Sequence, residues 1–161
     1  MNQRKHLPIF GVGPIYGAAI IFLSVVGIAI SEKGYLNSGR VGMLRVPFLI
    51  LGVLLIVFGI LIWLEAVLRS KIDENIKNNH LVTTGIYAKV RNPLYSAFMI
   101  VCTGAIFCAD NLWLLLLPIL YWISMTVLMK ATEEKWLKEL YGMQYIEYCK
   151  KVNRCIPWLT K

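Results

Sequence analysis

Histidine is nearly absent from this chain. Of 161 residues only His6 and His80 carry an imidazole, so neither a histidine-based zinc site nor a Ser/His/Asp triad is expected, and no metal ligands are assigned. Cysteine is sparse too, with four residues and no C-x-x-C spacing. Cys102 and Cys108 fall in an apolar run, and Cys149 and Cys155 in a tail that reads as cytoplasmic, so neither pair marks a disulfide framework. Acidic residues number 9 against 17 basic ones, for a net charge of +8, and charge is missing altogether from long stretches. Hydrophobic residues make up 58% and the mean hydropathy is +0.63, too apolar for a soluble domain of this size. These absences define one domain, residues 1–161, in a membrane. The positive charge does not call for nucleic acid: basic residues beside apolar spans set orientation in the bilayer and contact anionic lipid.

The apolar runs predict an all-α integral membrane protein with four transmembrane helices, over residues 12–30, 46–68, 94–109 and 112–129. The basic start, MNQRKHLPIF, leads into a long apolar run without a small-residue cleavage site, which reads as an uncleaved first span. GVGPIYG imitates a glycine-rich nucleotide loop, but no strand precedes it and Pro14 lies inside it. Gly13 and Gly17 stand four apart, a spacing suited to close helix packing in lipid. Gly52 and Gly59 permit the same, within one chain or between copies in a homo-oligomer. The loop SEKGYLNSGRVGML separates the first two spans. Glu65 is the one acid inside an apolar span, placed to pair with Arg69 at i+4 or to reach the interface, and Trp63 fits an aromatic belt. The third span has 16 residues, about 24 Å of helix against a hydrocarbon core of about 30 Å, with its turn at Asp110-Asn111. Pro118 in the fourth is tolerable where neighbouring helices cover it. Fourteen basic residues fall on the side of the termini and three, Lys33, Arg40 and Arg45, on the other, which predicts cytoplasmic termini.

Two polar stretches carry the chemistry. In LVTTGIYAKVRNPLY, residues 81–95, Pro93 suits the first turn of a helix and Asn92 reads as its N-cap. Unpaired N–H groups, Arg91, Thr84, Tyr87 and Tyr95 meet there at the membrane boundary, as a polar ligand site or as a simple interfacial anchor. The tail, ATEEKWLKELYGMQYIEYCKKVNRCIPWLTK, predicts a cytoplasmic amphipathic helix against the membrane, with Trp136, Leu137, Leu140, Tyr141, Tyr145 and Tyr148 at roughly helical spacing. Taken by itself, the ladder Lys130, Glu134, Lys138 reads as a solvated face.

Together these stretches resemble the isoprenylcysteine carboxyl methyltransferase family and the related phospholipid methyltransferases. Leu81-Val82-Thr83-Thr84-Gly85-Ile86-Tyr87 and Arg91-Asn92-Pro93-Leu94-Tyr95 are similar to that family's L-V-T-x-G-x-Y and R-H-P-x-Y blocks. After the helical hairpin 94–129 come Glu133-Glu134, Tyr141-Gly142, Tyr145, Tyr148 and Pro157, like its E-E, aromatic-Gly, Y-x-x-Y and late Pro. Asn92 stands where the family usually has His; it keeps a hydrogen-bonding side chain but cannot be protonated.

The resemblance, which covers residues 81–157, implies S-adenosylmethionine as methyl donor at the cytoplasmic face and a lipid-like acceptor arriving from the bilayer. It implies that Leu81, Val82, Gly85, Tyr87, Asn92, Pro93, Tyr95, Glu133 and Glu134 hold the donor, and that Arg91, Arg154 and Glu134 serve the reaction. The residue types agree: a carboxylate accepts from ribose hydroxyls or an amino group, tyrosines offer faces to adenine or the sulfonium, and an Arg forks onto a carboxylate. Carboxyl O-methylation of an isoprenylcysteine-type acceptor needs no general base, which suits a chain poor in histidine, whereas N-methylation of a phospholipid amine needs a proton acceptor. An NADPH-dependent sterol-type reductase and a non-catalytic membrane adaptor are the readings from other classes.

Overall fold

The computed structural model describes residues 12–68 and 80–158. Five helices account for most of them: α1 (Gly13–Glu32), α2 (Arg45–Leu68), α3 (Pro93–Cys108), α4 (Leu116–Ala131) and α5 (Glu133–Lys151). No strand occurs among the described residues, only an isolated bridge between Arg40 and Asn111. Three segments are long and apolar enough to cross a membrane, Gly13–Glu32, Gly42–Leu68 and Leu112–Ala131. α3 is apolar but has 16 residues, so it falls short of that length, as the 94–109 run predicts.

Small residues set how closely the helices approach. A Cβ on Gly52 would stand 2.5 Å from Cys108 Sγ and 2.7 Å from the Gly104 carbonyl oxygen, and one on Gly59 3.0 Å from the Ala97 carbonyl oxygen. As the number rises along α2 the partner's number falls along α3, so the two run antiparallel with backbones touching. The close contacts expected of Gly52 and Gly59 are thus made within the chain, and Gly104 completes them from the other side.

The bundle's two ends are tied by different chemistry. At one end Asn111, fully buried, donates from Nδ2 to Ser31 Oγ and to the Leu36 carbonyl, both at 2.8 Å, while its Oδ1 accepts from the Trp113 amide at 3.0 Å. That residue pins the α1–α2 loop onto the α3–α4 turn, and Gly39 has no room for a side chain beside it. Asp110, before it, turns the chain in the left-handed region at φ 57. The start of α1, the end of α2, the start of α3 and the end of α4 therefore gather at the opposite end.

α5 differs from the single amphipathic helix expected on the membrane. At Gly142 (φ 52, ψ −127) the backbone leaves helical geometry, a conformation open to glycine. The break separates half-buried Trp136, Leu137, Leu140 and Tyr141 from buried Tyr145 and Tyr148, so the apolar residues form no continuous stripe, and the second piece folds back on the bundle. The proposed partner of Glu65, Arg69, and the histidine His6 lie outside the described residues, and His80 is exposed.

Candidate functional site

The central stretch is held against α2. Gly85, at φ +60, opens a short 3-10 turn over Gly85–Ala88. That turn buries Ile86 and Tyr87, with Val90 and Ala97, against Ile62 and Ala66 of α2, and Val82 packs at the edge. Apolar side chains at 86, 87 and 90 leave Arg91 at the inner side of the turn, where it is 5% exposed. The C-terminal segment runs alongside: the Arg91 amide donates to the Asn153 carbonyl at 2.9 Å and the Trp158 amide to the Lys89 carbonyl at 3.2 Å. Asn153 Oδ1 accepts from the amides of Cys155 and Ile156, a local turn that aims Arg154 inward.

Asn92 and Pro93 open α3 as expected, with Pro93 in its first turn. The Asn92 side chain, however, does not cap the helix; Nδ2 donates to the Arg154 carbonyl at 3.2 Å, because the C-terminal segment offers a nearer acceptor than the helix's own amides. Its backbone carbonyl takes the Ser96 amide and hydroxyl instead.

Glu134 is the centre of the cluster and is 5% exposed, so the solvated-ladder reading of this acid fails. Its Oε1 lies 2.5 Å from Arg154 Nε and 3.1 Å from Arg91 Nη1, and its Oε2 accepts from Arg154 Nη2 at 3.1 Å. Arg154 thus forks onto the carboxylate, the strongest geometry available to that pair. Arg91 Nη1 also donates to the Tyr145 hydroxyl at 3.5 Å and to Cys149 Sγ, whereas Arg91 Nε is buried with no partner among the described residues. Burial pushes the Glu134 carboxyl up, but the Arg154 hydrogen bond and the charges of Arg91, Arg154 and Lys138 outweigh it and hold the group below the usual carboxylate value. The same bond raises Arg154. Two guanidinium groups against one carboxylate leave the cluster cationic.

Glu133 points elsewhere. Its Oε1 accepts the Tyr95 hydroxyl and, at 3.2 Å, the Val12 amide, one of the donors left over at the start of α1. Burial pushes its carboxyl up, and the bonds from Tyr95 and Val12 offset only part of this. Tyr95 in turn packs at a tilt against Tyr16, ring centroids 5.8 Å apart, and a Cβ on Gly13 would lie 3.0 Å from its hydroxyl. α1 therefore forms one wall of this end of the bundle.

Apart from Pro93, buried in the first turn of α3, the predicted site residues fall into three groups. Arg91, Arg154 and Glu134 meet directly, with Asn92 on the Arg154 backbone. Tyr95 and Glu133 form a second pair. Leu81, Val82, Gly85 and Tyr87 lie along the approach: Leu81 and Val82 are half-buried, Gly85 is exposed, and Tyr87 is in the α2-facing core with its carbonyl accepting from Tyr148 at 2.5 Å. Sequence reasoning missed Val12, Cys149 and Asn153 as partners. No local signal marks them, since each acts through a contact more than 50 residues away.

The phospholipid methyltransferase family profile matches residues 47–144, from α2 to just past the Gly142 break. Protein-S-isoprenylcysteine O-methyltransferase B of Arabidopsis thaliana is 28% identical over 85 residues, which is 52% of this chain and 43% of that protein. Protein-S-isoprenylcysteine O-methyltransferase of Schizosaccharomyces pombe is 38% identical over 82 residues, 50% of this chain and 34% of that protein. The matches thus span less than half the length of these curated relatives. No solved structure matches significantly. The resemblance carried by the two motif stretches is borne out: the chain belongs to the phospholipid methyltransferase family, and isoprenylcysteine O-methyltransferases are among its relatives.

Proposed function

We propose that this protein is an integral membrane methyltransferase that uses S-adenosylmethionine to methylate the carboxylate of an isoprenylcysteine-type acceptor at the cytoplasmic face. The observation that carries the reading is the buried Glu134 carboxylate, forked by Arg154 and paired with Arg91. It joins the two motif stretches across the helical hairpin.

The residues fit the donor. Among the described residues nothing accepts from the buried Arg91 Nε, which is suited to a carboxylate oxygen. Glu133, fixed through Oε1 by Tyr95 and Val12, presents an oriented acceptor for a ribose hydroxyl or an ammonium group. Gly85 leaves open space where a side chain would otherwise project, so backbone can approach an adenine edge. S-adenosylmethionine bound there would supply a methyl group on a cationic sulfur, able to leave as a neutral thioether when a carboxylate oxygen takes the methyl carbon, with no proton to remove.

The protein's part is then to align and partly dehydrate the acceptor. The surplus positive charge of the Arg91, Arg154 and Glu134 cluster supports a carboxylate acceptor over an ammonium one, and with it O-methylation over N-methylation of a phospholipid amine. One observation favours the second reading: Glu133, with its carboxyl pushed up by burial and partly restored by Tyr95 and Val12, is the group in this region suited to accept a proton.

Calorimetry on the detergent-purified protein with S-adenosylmethionine, S-adenosylhomocysteine and NADPH tests the reading. Binding of the first two and its loss in Glu134→Ala are expected, followed by methyl transfer to a farnesylcysteine acceptor. Transfer to phosphatidylethanolamine alone would establish the amine reading. Binding of NADPH alone, or of none, would reject both in favour of the reductase or the adaptor.

A further inference from the structure

The family profile begins at residue 47, so α1 lies outside the residues it matches, yet the first turn of α1 reaches into the site. Two bonds converge there on one carboxylate oxygen. Glu133 Oε1 accepts the Val12 amide at 3.2 Å and the Tyr95 hydroxyl, and no described residue donates to Oε2. A carboxylate held through one oxygen keeps the other for a ligand and is oriented before the ligand arrives.

The GVGPIYG run that imitates a nucleotide loop therefore has a different use. Gly13 has helical backbone geometry, where alanine is the better helix former, so its conformation does not call for glycine. The reason lies in space. A Cβ there would stand 3.0 Å from the Tyr95 hydroxyl oxygen, 3.2 Å from Cζ and 3.4 Å from Cε1, so the ring would have to give way. Gly17, one turn on, differs: a Cβ there would meet Phe98 at 3.8 Å, an ordinary contact. Of the two glycines four apart, the first is the one set against the site.

Tyr16 fixes the depth at which α1 sits. Its ring packs against Tyr95 and is 4% exposed, and its hydroxyl donates to the Tyr121 carbonyl of α4 at 3.0 Å. The Tyr121 hydroxyl returns to α1 at Ser24 Oγ, 2.8 Å away. These groups are buried among apolar side chains, where a hydroxyl without a partner is costly, so α1 cannot slide or turn against α4 without breaking them.

We propose that Gly13 is a positioning residue for the methyl donor: it lets Tyr95 reach Glu133 beside the Val12 amide, so that Oε2 takes a ribose hydroxyl or the ammonium group of S-adenosylmethionine. This rests on the methyltransferase reading and deepens it by giving α1 a part in donor binding.

Calorimetry with S-adenosylhomocysteine on the full-length protein in detergent tests this, with the denaturation midpoint measured alongside. Gly13→Ala pushes the Tyr95 hydroxyl off Glu133 and should raise Kd about tenfold, the loss expected for one hydrogen bond to a charged group. Tyr95→Phe should do the same. That change removes the atom a Cβ at position 13 meets first, so adding Gly13→Ala to it should raise Kd by less than about twofold more. Gly17→Ala should leave Kd unchanged. A packing role for Gly13 predicts instead that its loss adds in full to that of Tyr95→Phe. Such additivity, or an unchanged Kd in Gly13→Ala, would overturn the proposal. Should Gly13→Ala fail to fold, the double variant, in which the clash is relieved, decides by the same comparison with Tyr95→Phe.

Steady-state kinetics separate donor from acceptor. KM for S-adenosylmethionine should rise in Gly13→Ala by the same factor as Kd, while KM for N-acetyl-S-farnesylcysteine stays within about twofold. Equal rises in both mean a general loosening of the site and reject the role of α1. Absence of S-adenosylhomocysteine binding in the wild type rejects the methyltransferase reading and this role together, whereas binding with additive losses rejects the role alone.

Discussion

Two adjacent glutamates on one helix turn meet opposite environments. Glu134 is held below the usual carboxylate value of 4.5 because its burial is outweighed by Arg154 and Arg91. Its stabilising contribution is therefore present above that value and lost as pH falls through its folded one. Glu133 is raised, so its contribution is complete below 4.5 and lost as pH rises through its folded value. Thermal unfolding in detergent should separate them. Glu134→Ala leaves buried Arg91 without its counter-charge and is expected to cost on the order of 3–5 kcal/mol at pH 7. Glu133→Gln keeps an acceptor for Tyr95 and Val12, and should leave the midpoint at pH 7 unchanged or higher while removing the fall in stability as pH rises from 4.5.

At the level of elements, glycines decide both how close two helices come and where one stops. Gly52 has the Gly104 carbonyl and Cys108 Sγ within 2.7 Å of any added Cβ, so Gly52→Val must push α2 off α3. Overpacking of this kind is expected to lower stability by about 1–3 kcal/mol, read as a lower denaturation midpoint. At Gly142 nothing lies within 4 Å of an added Cβ, so the cost of Gly142→Ala is one of backbone conformation alone. An expected loss of about 1–3 kcal/mol there, with reduced donor affinity as Tyr145 and Tyr148 shift from Arg91 and Tyr87, separates a conformational role from a packing one. Those two tyrosines lie beyond the break, which is why their positions depend on it.

For the whole molecule the topology turns on α3, 16 residues long. Its antiparallel seating on α2, and Asn111 tying its far end to the α1–α2 loop, support a crossing. In a variant with every cysteine replaced by serine, Ser38→Cys and Glu147→Cys report the topology through a membrane-impermeant maleimide. With four crossings the two label from opposite sides. With three crossings they label from the same side, and the α1–α2 loop and α5 would share a compartment.

Composition and apolar runs determined the membrane class and the helix positions, because a chain in hydrocarbon must satisfy its backbone within helices, and these have a length readable from the run. The motif blocks likewise marked Arg91, Glu133 and Glu134, and residue chemistry alone added Arg154, since residue type limits which chemistry a position can perform. What those residues touch was decided by the tertiary structure. Neighbouring Glu133 and Glu134 face different partners because helical rotation separates adjacent side chains by about 100°. The Asn92 side chain was drawn from its cap to the Arg154 carbonyl, the tail helix was bent at Gly142, and Val12 was brought to Glu133 across 121 positions. None of these is written in local spacing, because each depends on which distant donor or acceptor the folded bundle leaves within reach.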